Sequence, residues 1–575
     1  MANERCRVAL FVLIVCAFAY AAVYTSSPAV SVNPCAQTLT RALLAVTGLD
    51  PYVVSCAADD GVSTPLLSDG GHDKINAGRV GGPIVTDLLQ CRKPEGPDFP
   101  EDLQCCPPMP TSEPIDFTLP DPSEPLRTRR PAHVAGAEYM AKYERAIALM
   151  KALPRSDPRS FYQQANIHCA YCTGAYRQVG HPELAVQVHF SWLFFPFHRA
   201  YLYFFERIAG KLLGDPGFAV PFWSWDVPEG MRMPLQFANA SSPLYDQMRN
   251  PWHAPPKLVD LDYAMDVVEN NYTDDEQIKH NLWIMYKQMI SSAPLASLFH
   301  GQPFRAGEAS KPGAGTVELQ PHNLMHVWVG DLLSYPNAED MGAYYAAGRD
   351  PIFYTHHANI DRLWDVWRSN GKGEDFTDPD WLDSSFLFYD EEARLVRITV
   401  RDVLDMDKLR YTYRGVGLPW LDARPPTTPN VKYRVKNRVE KPVMFPVSLG
   451  NVVTAEVRRP LMLWRQPKGA TQEEVLVVEH IQTDGVCKFD VFVNAREHKK
   501  IEPCGREMVG SFVCLRHHNT QNNVTRRGVQ TTMRVALNDI LKDLGAEQDE
   551  SVTVTLVPRH GKVRIGGVRI EYNGM

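Results

Sequence analysis

Residues 351–369 read PIFYTHHANIDRLWDVWRS, and residues 318–329 read ELQPHNLMHVWV. Both stretches space apolar and aromatic side chains at helical intervals, which predicts helices over Pro351–Ser369 and Glu318–Val329. His322 and His326 are four apart, so on a helix they project from one face, with Glu318 a further turn upstream. Two imidazoles one turn apart chelate a metal readily, but HxxxH lacks the glutamate that a zinc protease uses as its general base. The pair His356-His357 supplies further imidazoles. Upstream lies a second group: His168 in NIHCAYC, His189 in VQVHFSW and His198 in FFPFHRAYLYFFE. His198 sits among Phe194, Phe195, Phe197, Tyr201 and Phe205, the setting of a core histidine or of a ligand facing a buried metal. Two sets of three imidazoles, without carboxylate ligands nearby, suit copper over magnesium or calcium.

Around these helices the chain changes character several times. Eleven prolines crowd the segment between Lys93 and Pro131, which predicts an extended arm, because proline sustains neither a helix nor an inner strand. Helical patterns follow over Glu138–Leu153 and Pro196–Leu213. Near Trp420 the pattern stops. Arg424-Pro425-Pro426-Thr427-Thr428-Pro429 is a linker signal, and the basic stretch Lys432–Lys441 follows it. Beyond Phe445, Val-rich alternating runs at Val475–Glu479, Phe489–Val493, Met533–Leu537, Val552–Val557 and Val563–Tyr572 predict an antiparallel sandwich or barrel.

The 575 residues carry 60 basic and 67 acidic groups, a net charge of −7, with 44% hydrophobic and 22% charged residues. This excludes a wholly disordered chain, a collagen-like chain and a multi-span membrane protein. The mildly acidic balance offers no electrostatic reason to expect nucleic acid or an anionic membrane surface. Met1–Arg7 is basic, Val8–Val23 is apolar, and small residues follow at Ala17, Ala19 and Ala21, the layout of a cleaved secretory signal. The apolar run is short for an uncleaved anchor, and a long, Ser-rich, basic plastid transit peptide is not visible. Three sequons, at Asn239, Asn271 and Asn523, agree with a secreted glycoprotein, with the vacuole and the plastid lumen as alternatives. Residues 22–81 read as a leader or propeptide with one short helix, Thr38–Val46. Cys91, Cys105, Cys106 and Cys169 read as disulfides that pin the arm to the body, with the pairing left open.

HCAYC, FFPFHR, PFWSWD, PHNLMH, DPIFYTHHANIDRLW, DWLDSSFLFYDE and KFDVFVN together resemble plant polyphenol oxidases of the tyrosinase and catechol oxidase family, from about Gly82 to the C-terminus. The resemblance implies an α+β multidomain protein. Its mainly helical core would hold a dicopper site in a four-helix bundle, and an antiparallel β-sandwich domain would follow. With the signal read at 1–21 and the leader at 22–81, the domain order is completed by a core at 82–424, a linker at 425–444 and, as the resemblance implies, a shielding domain at 445–575. His168, His189 and His198 would bind one copper. His322, His326 and His357 would bind the other, His357 being preferred to His356 because in the family the second of the pair is the ligand, with Phe353 then one turn before it on the same face. The resemblance further implies a thioether between Cys172 and His189, and disulfides Cys105–Cys169 and Cys91–Cys106. Glu318 and Asn323 would anchor a water that accepts the phenol proton.

Tyr344, in Gly342-Ala343-Tyr344-Tyr345, takes the place of the gate phenylalanine common in the family, with Phe353 and Val327 beside the entrance. Asp361 would support a metal ligand, while Arg199 reads as structural, paired with acids or lying against Tyr411 and Tyr413. The implied activity is oxidation of o-diphenols to o-quinones with dioxygen as co-substrate, reduced to water, and monophenol hydroxylation is left open. The implied partners are small phenols and dioxygen, with no nucleic acid and no membrane span after signal cleavage. A dioxygen carrier is the second reading, and an inactive storage protein the third.

Overall fold

The computed structural model describes residues 81–573, apart from 95–98, 111, 266–269, 310–311, 371–372, 427–442, 461–471, 484, 496–497, 499–500, 502–504 and 516–528. The signal-like segment, the Thr38–Val46 helix, the basic stretch Lys432–Lys441 and Asn523 lie outside the described residues.

The helical part is built on α1 (Ala137–Ala152), α2 (Phe161–Cys172), α3 (Phe194–Leu213), α4 (Asp274–Tyr286), α5 (Asn323–Val329) and α6 (Ile352–Ser369). Local chemistry starts and stops them. The Ser160 hydroxyl accepts from the Gln163 N–H at the head of α2, and Thr273 and Glu276 close a capping box on α4. Pro196 fits the first turn of α3, and Gly214, at φ 68°, ends that helix in the left-handed conformation that suits glycine. Every residue of α3 from Phe194 to Glu206 is buried, so this helix is the axis of the core. Phe205 stacks on Tyr354 of α6 at 3.6 Å, and the Tyr143 hydroxyl of α1 donates to the Pro351 carbonyl at 2.8 Å.

The expected helix over Glu318–Val329 is two pieces. Glu318–His322 forms a wide π-turn with Gln320 extended, and only Asn323–Val329 is α-helical. Pro321 lacks the N–H that would continue the ladder, and the chain kinks there. The four histidine-bearing segments therefore sit in a larger and less regular helical core. Among the described residues no helix is long and apolar enough to cross a membrane.

The proline-rich arm is extended as its composition requires. Ile115–Asp116 pairs parallel with Leu395–Thr399, and Arg127–Arg129 with Tyr411–Tyr413. Disulfides join Cys91 to Cys106 and Cys105 to Cys169, tying the arm to α2.

The C-terminal part is two antiparallel sheets. One runs in the order Val453–Arg458, Ser551–His560, Cys487–Val493, Met508–Cys514. The other centres on Glu474–Thr483, flanked by Val529–Ala536 and Gly567–Tyr572. Phe489, Val491, Phe512 and Leu556 of the first sheet share a core with Leu476, Val478, Met533 and Val535 of the second. The edge strand Met508–Cys514 is buried on both faces, and its Val513 joins the core of the helical part.

Candidate metal centre

His168 projects from the last turns of α2, His198 from the first turns of α3, and His189 from the loop before α3. Their ring centroids stand 5.2 to 5.6 Å apart. The Nδ1 of His168 donates to the Tyr344 carbonyl at 2.8 Å, and that of His198 to the Phe194 carbonyl at 2.8 Å. A proton fixed on Nδ1 leaves the Nε2 lone pair for a metal. Both Nε2 atoms are buried and meet no protein hydrogen-bond partner. Burial pushes His198 down to about 3 and His168 well below the ordinary imidazole value, so both rings are neutral at neutral pH.

The second group is tighter. The Nε2 atoms of His322, His326 and His357 lie 3.1, 3.3 and 3.4 Å from one another. The centre of such a triangle lies about 1.9 Å from each corner, close to the ~2.0–2.1 Å of a metal–imidazole bond. His326 Nδ1 donates to the Met341 carbonyl at 2.7 Å, and His322 Nδ1 to Asn323 Oδ1 at 3.0 Å. Burial pushes His326 down to about 4. His356 faces the same cluster, but its Nδ1 accepts from the Trp225 indole N–H at 3.0 Å. A neutral ring that accepts at Nδ1 carries its proton on Nε2, which leaves no lone pair for a metal.

The two groups share one cavity, since His198 stacks on His357 at 4.1 Å and His189 on His322 at 5.9 Å. Six buried imidazoles in two sets, with no carboxylate in either, fit a pair of copper ions by donor chemistry.

The other expected residues gather around this cavity. Phe353 packs on His168 at 4.8 Å and on His357 at 4.2 Å, and Val327 is buried on α5. The Tyr344 ring stands 4.3 Å from His189, and its hydroxyl donates to Asn323 Oδ1 at 3.1 Å. Glu318 Oε1 accepts from the Phe190 N–H at 2.7 Å, while Oε2 is buried without a hydrogen-bond partner. Burial pushes its carboxyl well above the usual range. Cys172 is a buried thiol at the end of α2.

Asp361, one turn after His357, accepts from Arg199 at 2.5 Å, from Arg129 at 2.9 Å and from both Tyr411 and Tyr413. Arg199 lies over the Trp364 ring at 3.8 Å. This cluster clamps α3 to α6 directly beside His198 and His357.

Three contributions escaped the sequence. The carbonyls of Tyr344, Met341 and Phe194 orient histidines, and backbone oxygen has no sequence signature. Trp225 lies in the quoted PFWSWD, but its pairing with His356 is a tertiary fact. The Val513 carbonyl of the C-terminal sheet accepts from Asn323 Nδ2 at 2.9 Å, a contact across 190 residues.

With this geometry in hand, three family models match the chain. They are the common central domain of tyrosinase over residues 158–370, the polyphenol oxidase middle domain over 375–426, and the chloroplastic polyphenol oxidase C-terminal domain over 445–572. A chloroplastic polyphenol oxidase of Malus domestica is 47% identical over 507 residues, covering 84% of each chain. One of Vitis vinifera is 48% identical over 511 residues, covering 86% of this chain and 83% of its own. The solved structure of latent apple tyrosinase superposes with a TM-score of 0.75 at 49% identity, covering 80% of this chain and 100% of that one. Both relatives are named chloroplastic, which overturns the expectation of a secreted glycoprotein and leaves the signal and sequon readings without support. The carrier reading loses its footing too, since these relatives are oxidases.

Proposed function

The chain belongs to the plant polyphenol oxidases of the tyrosinase family, type 3 copper oxidoreductases that oxidise phenols, and from that premise we propose how its own residues serve the reaction. His168, His189 and His198 hold one copper, and His322, His326 and His357 hold the other. When bound, the copper pair supplies the binding and reduction of dioxygen. The chain supplies the rest. Aromatic walls at Phe353 and Tyr344 exclude water and admit a flat ring. Glu318 Oε2, buried and without a protein donor, and the Asn323 amide hold a water, and that water accepts the proton of the substrate hydroxyl. A thioether from Cys172 would fix the His189 ring.

Residues 82–424 form the oxidase core around the site-bearing helical bundle. Residues 425–444 link it to a domain, 445–575, that covers the entrance and keeps the enzyme latent. The plastid, as in the named relatives, is the compartment. The observation that carries this reading is the triangle of three Nε2 atoms at 3.1–3.4 Å beside a second set of three imidazoles. Metal analysis of the purified chain should find two coppers, and catechol should yield o-quinone with uptake of dioxygen. A single zinc without copper, or dioxygen bound reversibly with no quinone formed, defeats the proposal.

A further inference from the structure

The amide of Asn323 is committed on every side. Its Oδ1 receives two donors, the His322 Nδ1–H at 3.0 Å and the Tyr344 hydroxyl at 3.1 Å. Its Nδ2 donates to the Val513 carbonyl at 2.9 Å. Tyr344, His322 and Asn323 are buried parts of the cavity wall, whereas Val513 comes from the edge strand of the C-terminal sheet. The His322 Nδ1–H decides which way the amide points, since a flip would set N–H₂ against N–H; the Tyr344 hydroxyl adds a second bond to Oδ1 in that orientation. The donor edge therefore faces outward, toward the side from which the C-terminal domain covers the site.

We propose that Tyr344 is a positioning residue that fixes the Asn323 amide with its N–H₂ edge toward the entrance, and that the Val513 carbonyl occupies the place of a phenolic substrate oxygen. The proposal rests on the phenol-oxidase reading and deepens it. When the C-terminal domain leaves, Nδ2 loses the Val513 carbonyl, while Oδ1 keeps both donors. Water meets that donor in the uncovered site until a ligand oxygen displaces it, so the site offers a fixed N–H to an acceptor atom at that point. An oxygen on a flat aromatic ring is such an acceptor. A phenylalanine at 344 would keep the ring against His189 but leave the amide with one restraint instead of two. The same residue also orients His168 through its backbone carbonyl, a contact that substitution of the side chain leaves in place.

The test uses the full chain with a protease site inserted in the 427–442 segment, loaded with copper and cut after folding. The probe is benzoate, a flat ring with acceptor oxygens that is not oxidised, and binding is read by calorimetry. Tyr344→Phe should weaken benzoate about 2–10-fold, the worth of one hydrogen bond, and should raise KM for catechol by a similar factor with kcat less affected. A double-mutant cycle separates positioning from packing: in an Asn323→Ala background, Tyr344→Phe should have no further effect. If Tyr344→Phe does not fold, Asn323→Asp carries the test, because it replaces the outward donor by an acceptor and should weaken benzoate more strongly. Equal affinity of variant and parent, an additive cycle, or no benzoate binding by the unsubstituted cut chain overturns the proposal. Copper content and catechol turnover of the unsubstituted cut chain test the parent reading separately.

Discussion

Three neutral imidazole nitrogens packed within 3.4 Å of one another turn lone pairs toward lone pairs, an arrangement that only a shared cation makes favourable. That is a stronger statement than any single histidine permits, and it separates His357 from its neighbour. Replacing His326 with Ala should remove one of two coppers, seen by metal analysis, and lower catechol turnover by about 100-fold or more, beyond the 10–100-fold typical of residues that only support a ligand. His356→Ala should keep both coppers. A variant at His356 that loses a copper while His357→Ala keeps two would reverse the assignment. At this scale the sequence was informative wherever the chemistry resides in side-chain identity. The two histidine groups and Glu318 could be picked out by type and spacing, while Asn323 and the choice of His357 came from the family resemblance. The carbonyls that aim the imidazoles could not, because any residue has one.

Between elements, the strongest single constraint is the buried cluster of Arg199, Arg129, Asp361, Tyr411 and Tyr413, which joins α3, α6 and the two strands beside them. Burial alone would raise the Asp361 carboxyl, but Arg199 and Arg129 outweigh it and hold the group below its ordinary value. A depressed carboxyl contributes stability that is complete above the unfolded value, about 4, and is lost as pH falls through the folded one. This cluster should therefore leave thermal stability flat from neutrality down to about pH 4, with the loss below it. Asp361→Asn leaves Arg199 buried without its carboxylate, while Arg129 keeps Glu206, and should cost about 3–5 kcal/mol in denaturant unfolding at neutral pH. A loss below 1 kcal/mol would show the cluster to be replaceable packing. Legibility of the elements followed composition as well as exposure. Helices with one apolar stripe and strands with one wet face leave a period in the sequence. Phe161–Cys172 leaves none, because Gln163, Gln164 and Asn166 are buried along with the apolar residues. Met508–Cys514 was missed although Phe489–Val493 and Val552–Val557, just as buried on both faces, were legible as Val-rich runs. The kink at Pro321 was visible as a proline, yet the regular spacing of His322 and His326 masked it.

For the molecule as a whole, the sequence showed where the helical pattern ends and the strand pattern begins, but not how the two parts meet, because domain contacts join residues hundreds apart. The compartment was misread for a related reason: a short basic-apolar-small layout is a local pattern, and the relatives outweigh it. The meeting surface has an apolar and a charged component. Val486, Val513 and Leu515 of the C-terminal part enter the helical core's cluster, while Phe190 and Leu319 enter the other. Beside them, Lys488 on Cys487–Val493 is 1% exposed and donates to the Asp262 carbonyl at 2.6 Å and carboxylate at 2.8 Å. Asp490 stands 3.7 Å away, but it already has Arg559 and Ser511. Among the described residues Asp262 has no second cationic partner, so removing the lysine leaves it buried and unpaired only while the domains stay together. Lys488→Met keeps the length of the side chain and its packing and removes the charge. The stranded carboxylate should then weaken the closed arrangement by about 3–5 kcal/mol, which multiplies the open fraction by about 100-fold or more. The uncut variant should oxidise catechol faster than the uncut parent, with two coppers in each and unchanged far-ultraviolet dichroism. After cutting in the 427–442 segment the two should turn over alike, because the cut removes the closure on which the lysine acts. A variant as slow as the uncut parent would mean that the apolar contacts alone keep the domains together. Equal rates for cut and uncut parent would mean that the C-terminal domain does not restrain the site at all.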